Sequence, residues 1–249
     1  MFKNFFLKRN KIDFIVVGVQ KAGTTALDSY LRQHSEIGMG KIKELHFFDN
    51  DKYFNKRKIS YKEYHKFFDF AEDKKVFGEI TPIYIWWKDS IKRIYDYNKN
   101  IKLIVILRNP VDRAFSHWNM EVSRNNEERD FYTCISQSNS GLQNRITSYK
   151  ERGFYSEQIE NLYKYFNSDQ LLFIKYEEFL KKQESYLKII FKFLNVSDSS
   201  FNYNFNKSHS IKYKSKIDDE SKILLLKAYK NDINKVESLL GWNCNDWKL

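Results

Sequence analysis

An α/β fold is what this sequence predicts: a central parallel sheet flanked by helices, three layers in all, forming a single domain over residues 1–249. Three observations predict it. Short apolar runs alternate with stretches of helical periodicity, as parallel strands joined by crossover helices require. The clearest run, IKLIVIL, is near-continuous in Ile, Leu and Val, which suits a strand buried on both faces. The first apolar run leads through a glycine-containing turn straight into a helical pattern.

The elements follow in order. Strands are expected at Phe14–Val17, Val76–Ile80, Ile101–Leu107 and Leu171–Ile174. A helix is expected over Ala26–Gln33, with Leu27, Tyr30 and Leu31 at helical spacing, and another around Ile91, Ile94 and Tyr95. Pro110 suits a first helical position and Asn109 its cap. Phe154, Ile159, Leu162 and Phe166 recur less regularly. Asp218 to Leu240 reads as a long helix with Ile223, Leu226, Tyr229 and Ile233 on one side. No internal repeat or composition break marks a domain boundary.

The 249 residues are enough for a full core, and 42% hydrophobic with 30% charged residues is an ordinary globular balance. No apolar run is long enough for a membrane span, and MFKNFFLKRNK has neither the apolar stretch nor the cleavage site of a secretory signal. Cys134 and Cys244 are far apart, with no metal-ligand spacing, so a disulfide framework is excluded and a reducing compartment expected. The net charge of +11 points to anionic partners. Its lysines are dispersed, however, and accompany an abundance of Asn, Ile, Tyr and Phe that an AT-rich genome alone produces. With no recognised nucleic-acid motif, nucleic-acid binding is the weaker reading.

The most informative stretch is GVQKAGTT, Gly18 to Thr25. Its glycines have the spacing of the phosphate loop G-x-x-x-x-G-K-[ST], so the fold is P-loop-like. Thr24 stands where that motif needs lysine, and Lys21 lies three residues earlier. A strand, a glycine turn and a helix start form an anion site because the first helical N–H groups lack partners and the helix dipole is positive there. Nucleotide hydrolases also need an acidic residue ending a second strand to hold magnesium. Here that strand ends in Arg108, which repels a metal and attracts another phosphate. The pattern suits a nucleotide with phosphate in two places and no required metal, and counts against a small-molecule kinase.

VGVQKAGTTAL resembles the 5′-phosphosulfate loop of sulfotransferases that use 3′-phosphoadenosine 5′-phosphosulfate (PAPS), and LRNPVDRAFSHW resembles their 3′-phosphate motif. KIKELHFFDND and GEITPIYIW resemble segments of the carbohydrate branch that contains the heparan sulfate sulfotransferases, and SLLGWNCNDW resembles its usual ending. The resemblance spans nearly the whole chain.

It implies a PAPS-dependent sulfotransferase that transfers sulfuryl to a hydroxyl or amine of a glycan or oligosaccharide by in-line displacement. Lys21, Ala22, Gly23, Thr24 and Thr25 would hold the 5′-phosphosulfate, and Arg108 with Ser116 the 3′-phosphate. Glu44 would be the general base, His46 would orient it or touch the acceptor, and Lys21 would also stabilise the leaving phosphate. Phe47, Phe48, His117 and Trp118 are assigned to packing. Arg113 stays open between a cofactor contact and an ion pair with an acidic neighbour.

The chain departs from the branch where Ile80 replaces an expected lysine beside Glu79, which is left to organise the site or touch the acceptor. No clean match exists for a later Lys-Gly-Arg loop, so Ser210, Lys212 or Lys214 in NKSHSIKYKSK would complete the cofactor site. A small molecule, a lipid or a peptidyl tyrosine is the alternative acceptor. Acceptor recognition is expected from loops within 52–62, 119–145 and 150–155. The absent anchor and cysteine framework lead to the expectation of a bacterial, cytoplasmic enzyme.

Overall fold

The computed structural model describes residues 11–55, 59–70, 73–137, 143–203 and 216–249. In chain order the regular elements begin with β1 (Phe14–Gly18), α1 (Thr24–Gln33), β2 (Ile37–Met39), α2 (Lys62–His65) and β3 (Val76–Ile80). Next come α3 (Ser90–Tyr97), β4 (Lys102–Leu107), α4 (Pro110–Ser123), α5 (Phe131–Ser136) and α6 (Ser156–Tyr163). The last are β5 (Leu171–Lys175), α7 (Tyr176–Lys181), α8 (Gln183–Leu194) and α9 (Asp219–Leu240).

The five strands form one parallel sheet in the order β2-β3-β1-β4-β5. All five residues of β1 are buried, as are the last five of β4, which is why both read as continuous apolar runs. β1 lies between β3 and β4, with Phe14 opposite Gly78 on one side and Lys102 on the other. The chain leaves β1 toward β2 and later crosses to β4, so the carboxyl end of β1 is the switch point where open α/β sheets bind ligands.

All four expected strands are present. The fifth, β2, has only three residues, too short for a periodic signal. Helix α1 begins two residues before its expected start at Ala26, so Thr24 and Thr25 form its first turn. Asn109 caps α4 as expected, its side chain accepting from Val111 N at 2.9 Å with Pro110 in the first turn. Such a cap is worth about 1 kcal/mol.

Two helical expectations need correction. In α9, Ile223 is 65% exposed and Leu226 only half-buried, while the packed side carries Leu225, Tyr229, Asp232, Ile233 and Val236. The buried polar Asp232 disguised that face. In α6 only Ile159 and Leu162 of the expected four are helical; Phe154 and Phe166 flank the helix.

Candidate active site

The donor loop follows β1 and is pinned by Val19 N, which donates to Ile106 O at 2.8 Å. Lys21 has φ 75° and Gly23 φ 77°. At Gly23 a side chain is doubly barred, because a Cβ would also lie 2.8 Å from the Tyr176 ring. Helix α1 starts without a side-chain cap and without an acidic residue in its first turn, which leaves its N-terminal positive field uncompensated. Lys21 adds to that field. Burial first, and the charge of Arg108 second, pull its ammonium down to about 8. A partly buried cation beside a helix start suits an anionic ligand, with Ala22 and Thr24 buried and Thr25 exposed.

Arg108 extends from the end of β4 and donates through Nη1 to the carbonyl of Lys21 at 2.9 Å. Its guanidinium lies 5.1 Å from the centre of the Tyr176 ring, the same ring that covers Gly23. Its own carbonyl accepts from the Tyr155 hydroxyl at 2.8 Å. Ser116 is buried about two turns into α4. Arg113 is also buried, and its hydrogen bond goes to the carbonyl of Tyr149, a backbone contact that is neither of the two readings left open for it. His117 is buried against Tyr149, and Trp118 stacks on Phe115 and bonds Arg129 O, both in packing positions. Ser210, Lys212 and Lys214 lie outside the described residues.

On the other side of β1, Glu44 N donates to Ile80 O at the end of β3, 2.9 Å away. The Lys43 ammonium pairs with Oε1 of Glu44, and His46 Nε2 lies 3.6 Å from Oε2. Burial raises the Glu44 pKa, but the partners His46 and Lys43 reverse this and bring it to about 2. His46 donates Nδ1–H to Asp49 Oδ2 at 2.8 Å; that bond and the carboxylate of Glu44 raise its pKa to about 9. At neutral pH His46 is therefore a cation beside Glu44. Asp49 in turn pairs with Arg145, whose guanidinium lies 4.2 Å from the Trp87 ring centre.

Glu79 is buried beneath this loop, accepting from the hydroxyls of Thr81 at 2.6 Å, Tyr64 at 2.8 Å and Tyr84 at 3.2 Å. The Tyr84 hydroxyl also accepts from Phe47 N at 3.0 Å. Glu79 thus holds the Glu44 loop through Tyr84 and stands away from solvent, an organising position rather than an acceptor contact. Burial raises its carboxyl to about 7. Phe47 and Phe48 pack in the core.

Six non-glycine residues among those described have positive φ, and Lys21, Glu44 and His46 are three of them. Backbone held in this region costs energy and concentrates at functional sites. The structure thus brings Lys21, Arg108 and Glu44 to one end of the sheet.

Lys43 escaped the sequence reading. It supplies a cation at Glu44, whereas Ile80, at the position expected to carry one, is buried. Arg152, which bonds Gln20 of the donor loop, and Arg145 were missed because no spacing links residues so distant in the chain.

Over residues 11–236 the chain matches the family model described as a sulfotransferase domain. Heparan sulfate glucosamine 3-O-sulfotransferase 5 of Homo sapiens is 30% identical over 200 residues, covering 77% of this chain and 56% of its own length. The chain spans about half the length of the curated relatives of this kind. The crystal structure of a sulfotransferase from Alicyclobacillus acidocaldarius matches with a TM-score of 0.82 at 25% identity, covering 97% of this chain and 100% of that one. Mouse sulfotransferase SULT7A1 complexed with PAP shares the fold at a TM-score of 0.50 and 20% identity, over 76% of this chain and 61% of that one. No helix among the described residues is long and apolar enough to cross a membrane. Matched along most of its length by the domain model, and sharing its fold with a solved sulfotransferase, the chain belongs to the sulfotransferase family.

Proposed function

We propose that this chain transfers a sulfuryl group from PAPS to a hydroxyl or amine of a carbohydrate acceptor. The observation that carries the reading is the bond from Arg108 to the carbonyl of Lys21, with Glu44 at the same end of the sheet across β1. Two cation-bearing segments suit a donor with two separated phosphates, and a carboxylate stands opposite them. The names of the heparan sulfate relatives support a glycan acceptor, and the PAP complex of the mouse neighbour supports the donor.

PAPS supplies a sulfuryl group on a phosphate leaving group. Lys21 and the first N–H groups of α1 bind the phosphosulfate end, and Arg108 with Ser116 binds the 3′-phosphate. Arginine suits that role because its planar fork donates two bonds to phosphate oxygens. Glu44 takes the acceptor proton as the new oxygen–sulfur or nitrogen–sulfur bond forms and the sulfur–oxygen bond to phosphate breaks. Lys21 stabilises the charge left on the phosphate, and losing such a donor typically costs about 2.7–4 kcal/mol. For Glu44 to act as a base, the acceptor must displace Lys43 from its oxygen, because a carboxylate with a pKa of about 2 is a weak base.

Transfer of radiolabelled sulfuryl from PAPS to glycans tests this. Glu44→Gln is expected to lower turnover about 10²–10⁴-fold, and Lys21→Ala to lower it comparably. Unimpaired turnover in both variants overturns the mechanism. PAP is expected to raise the melting temperature without magnesium; equal stabilisation by ADP counts against a 3′-phosphate site.

A further inference from the structure

A cleft of about 590 Å³ opens between α6, α9 and the segment after β3. We propose that it binds a saccharide unit of the acceptor that is rich in hydrogen-bond donors and free of anionic groups, next to the unit that receives sulfuryl. This rests on the carbohydrate reading above and adds which sugar chemistry the acceptor carries.

The first observation is charge. On a chain of net charge +11, this cleft is lined by Glu151, Glu157 and Asp232 against Lys235. The second is unmet hydrogen bonding. Gln158, on the wall of the cleft, is 7% exposed, and its Oε1 has no partner among the described residues while its Nε2 donates to the carbonyls of Arg152 and Phe154. Oε2 of Glu151 is likewise buried without a partner among the described residues. The two acceptors therefore seek donors, because a buried acceptor left unpaired is destabilising. Asp232 contributes charge only, since its oxygens already accept from Tyr155 N, Ser156 N and Ser156 Oγ.

The third observation is shape and position. Trp86 and Phe154 add aromatic surface to the cleft. Trp86 is held by Gln143, which donates to its carbonyl, and by Arg152, 4.7 Å from its ring centre. Arg152 also bonds Gln20 of the donor loop, so the wall of the cleft is continuous with that loop. Hydroxyl and amine or amide hydrogens satisfy the two acceptors, an ammonium also satisfies the carboxylates, and a sulfate or uronate is repelled.

The test reads the indole N–H resonance of Trp86 by NMR, assigned with Trp86→Phe, while oligosaccharides are titrated without donor. The probes are a β-1,4-glucosamine tetramer, its N-acetylated counterpart and a sulfated heparin tetramer. The first two are expected to move the resonance at least tenfold more effectively than the third. Glu157→Lys, an exposed position, is expected to weaken the glucosamine tetramer about tenfold, and Glu151→Gln to weaken both unsulfated probes. Stabilisation by PAP stays unchanged in both variants. A response to the N-acetylated tetramer equal to that of the amine supports the proposal through hydrogen bonding alone. An equal response to heparin, no response to either unsulfated probe, or indifference to both substitutions overturns it. Because no sulfuryl is transferred, this result is separate from the fate of the catalytic reading.

Discussion

The Arg108 guanidinium donates to the backbone carbonyl of Lys21 across 2.9 Å, so the residue that follows β4 also shapes the loop that follows β1. The two halves of the proposed donor site are thereby one mechanical unit. Arg108→Ala is expected to weaken PAP binding about 10- to 100-fold, from the roughly 1.5–3 kcal/mol of a charged hydrogen bond. It should also erase the preference for PAP over ADP. Calorimetric titration of both nucleotides checks this, and Arg108→Lys should recover only part of the loss because lysine lacks the fork.

The partly buried ammonium of Lys21 titrates near 8, below its ordinary 10.5. Raising the pH through that value removes the cation that the donor needs. For the free enzyme, kcat/KM for PAPS is expected to fall above pH about 8, with the deprotonation of His46 near 9 adding to the decline. Lys21→Arg should move this limb upward, which a pH–rate profile records directly.

Lys43 touches both limbs of that profile. Its charge helps to hold Glu44 near 2 against an ordinary 4.5, and it also lowers Lys21. Lys43→Met is expected to raise the acid limb toward 4.5 and to move the basic limb up as well. A variant profile with neither limb displaced would remove Lys43 from the site.

Glu79 and Tyr84 are positioning residues. Tyr84→Phe takes a donor from Glu79 and an acceptor from Phe47 N, at a cost of about 1–3 kcal/mol. A drop of roughly 2–12 °C in melting temperature is expected at this chain length, together with lower kcat at nearly unchanged affinity for PAP. Glu79 keeps its proton up to about 7 in the folded chain and to 4.5 when unfolded. On its account stability falls as pH rises from 4.5 through 7, because the native state binds the extra proton. Glu79→Gln should flatten that part of the stability curve, as melts between pH 4 and 8 would show.

The strands and the donor loop were legible because burial on both faces writes unbroken apolar runs and because loop chemistry is local in sequence. Asn109 with Pro110 was legible for the same reason. The packed face of α9 was misread because its buried set includes Asp232, which pattern reading counts as surface. Within the site, Lys21, Arg108 and Glu44 were singled out through motifs. Arg145 and Arg152 were not, because their contacts arise only when segments roughly 100 residues apart meet, and Lys43 was not, because nothing in the motif marks a lysine beside Glu44 as its ion-pair partner.

The position of β1 between β3 and β4 divides labour along a single strand. Lys21, the first turn of α1 and Arg108 hang from the β1–β4 side, while Glu44 hangs from β3. A lineage can therefore rewrite residues 43–49 and 81–87 to suit a new sugar while the nucleotide grip is inherited intact. The same seam is a natural cut for grafting: exchanging those two segments between relatives should transplant preference for the acceptor and spare the common donor.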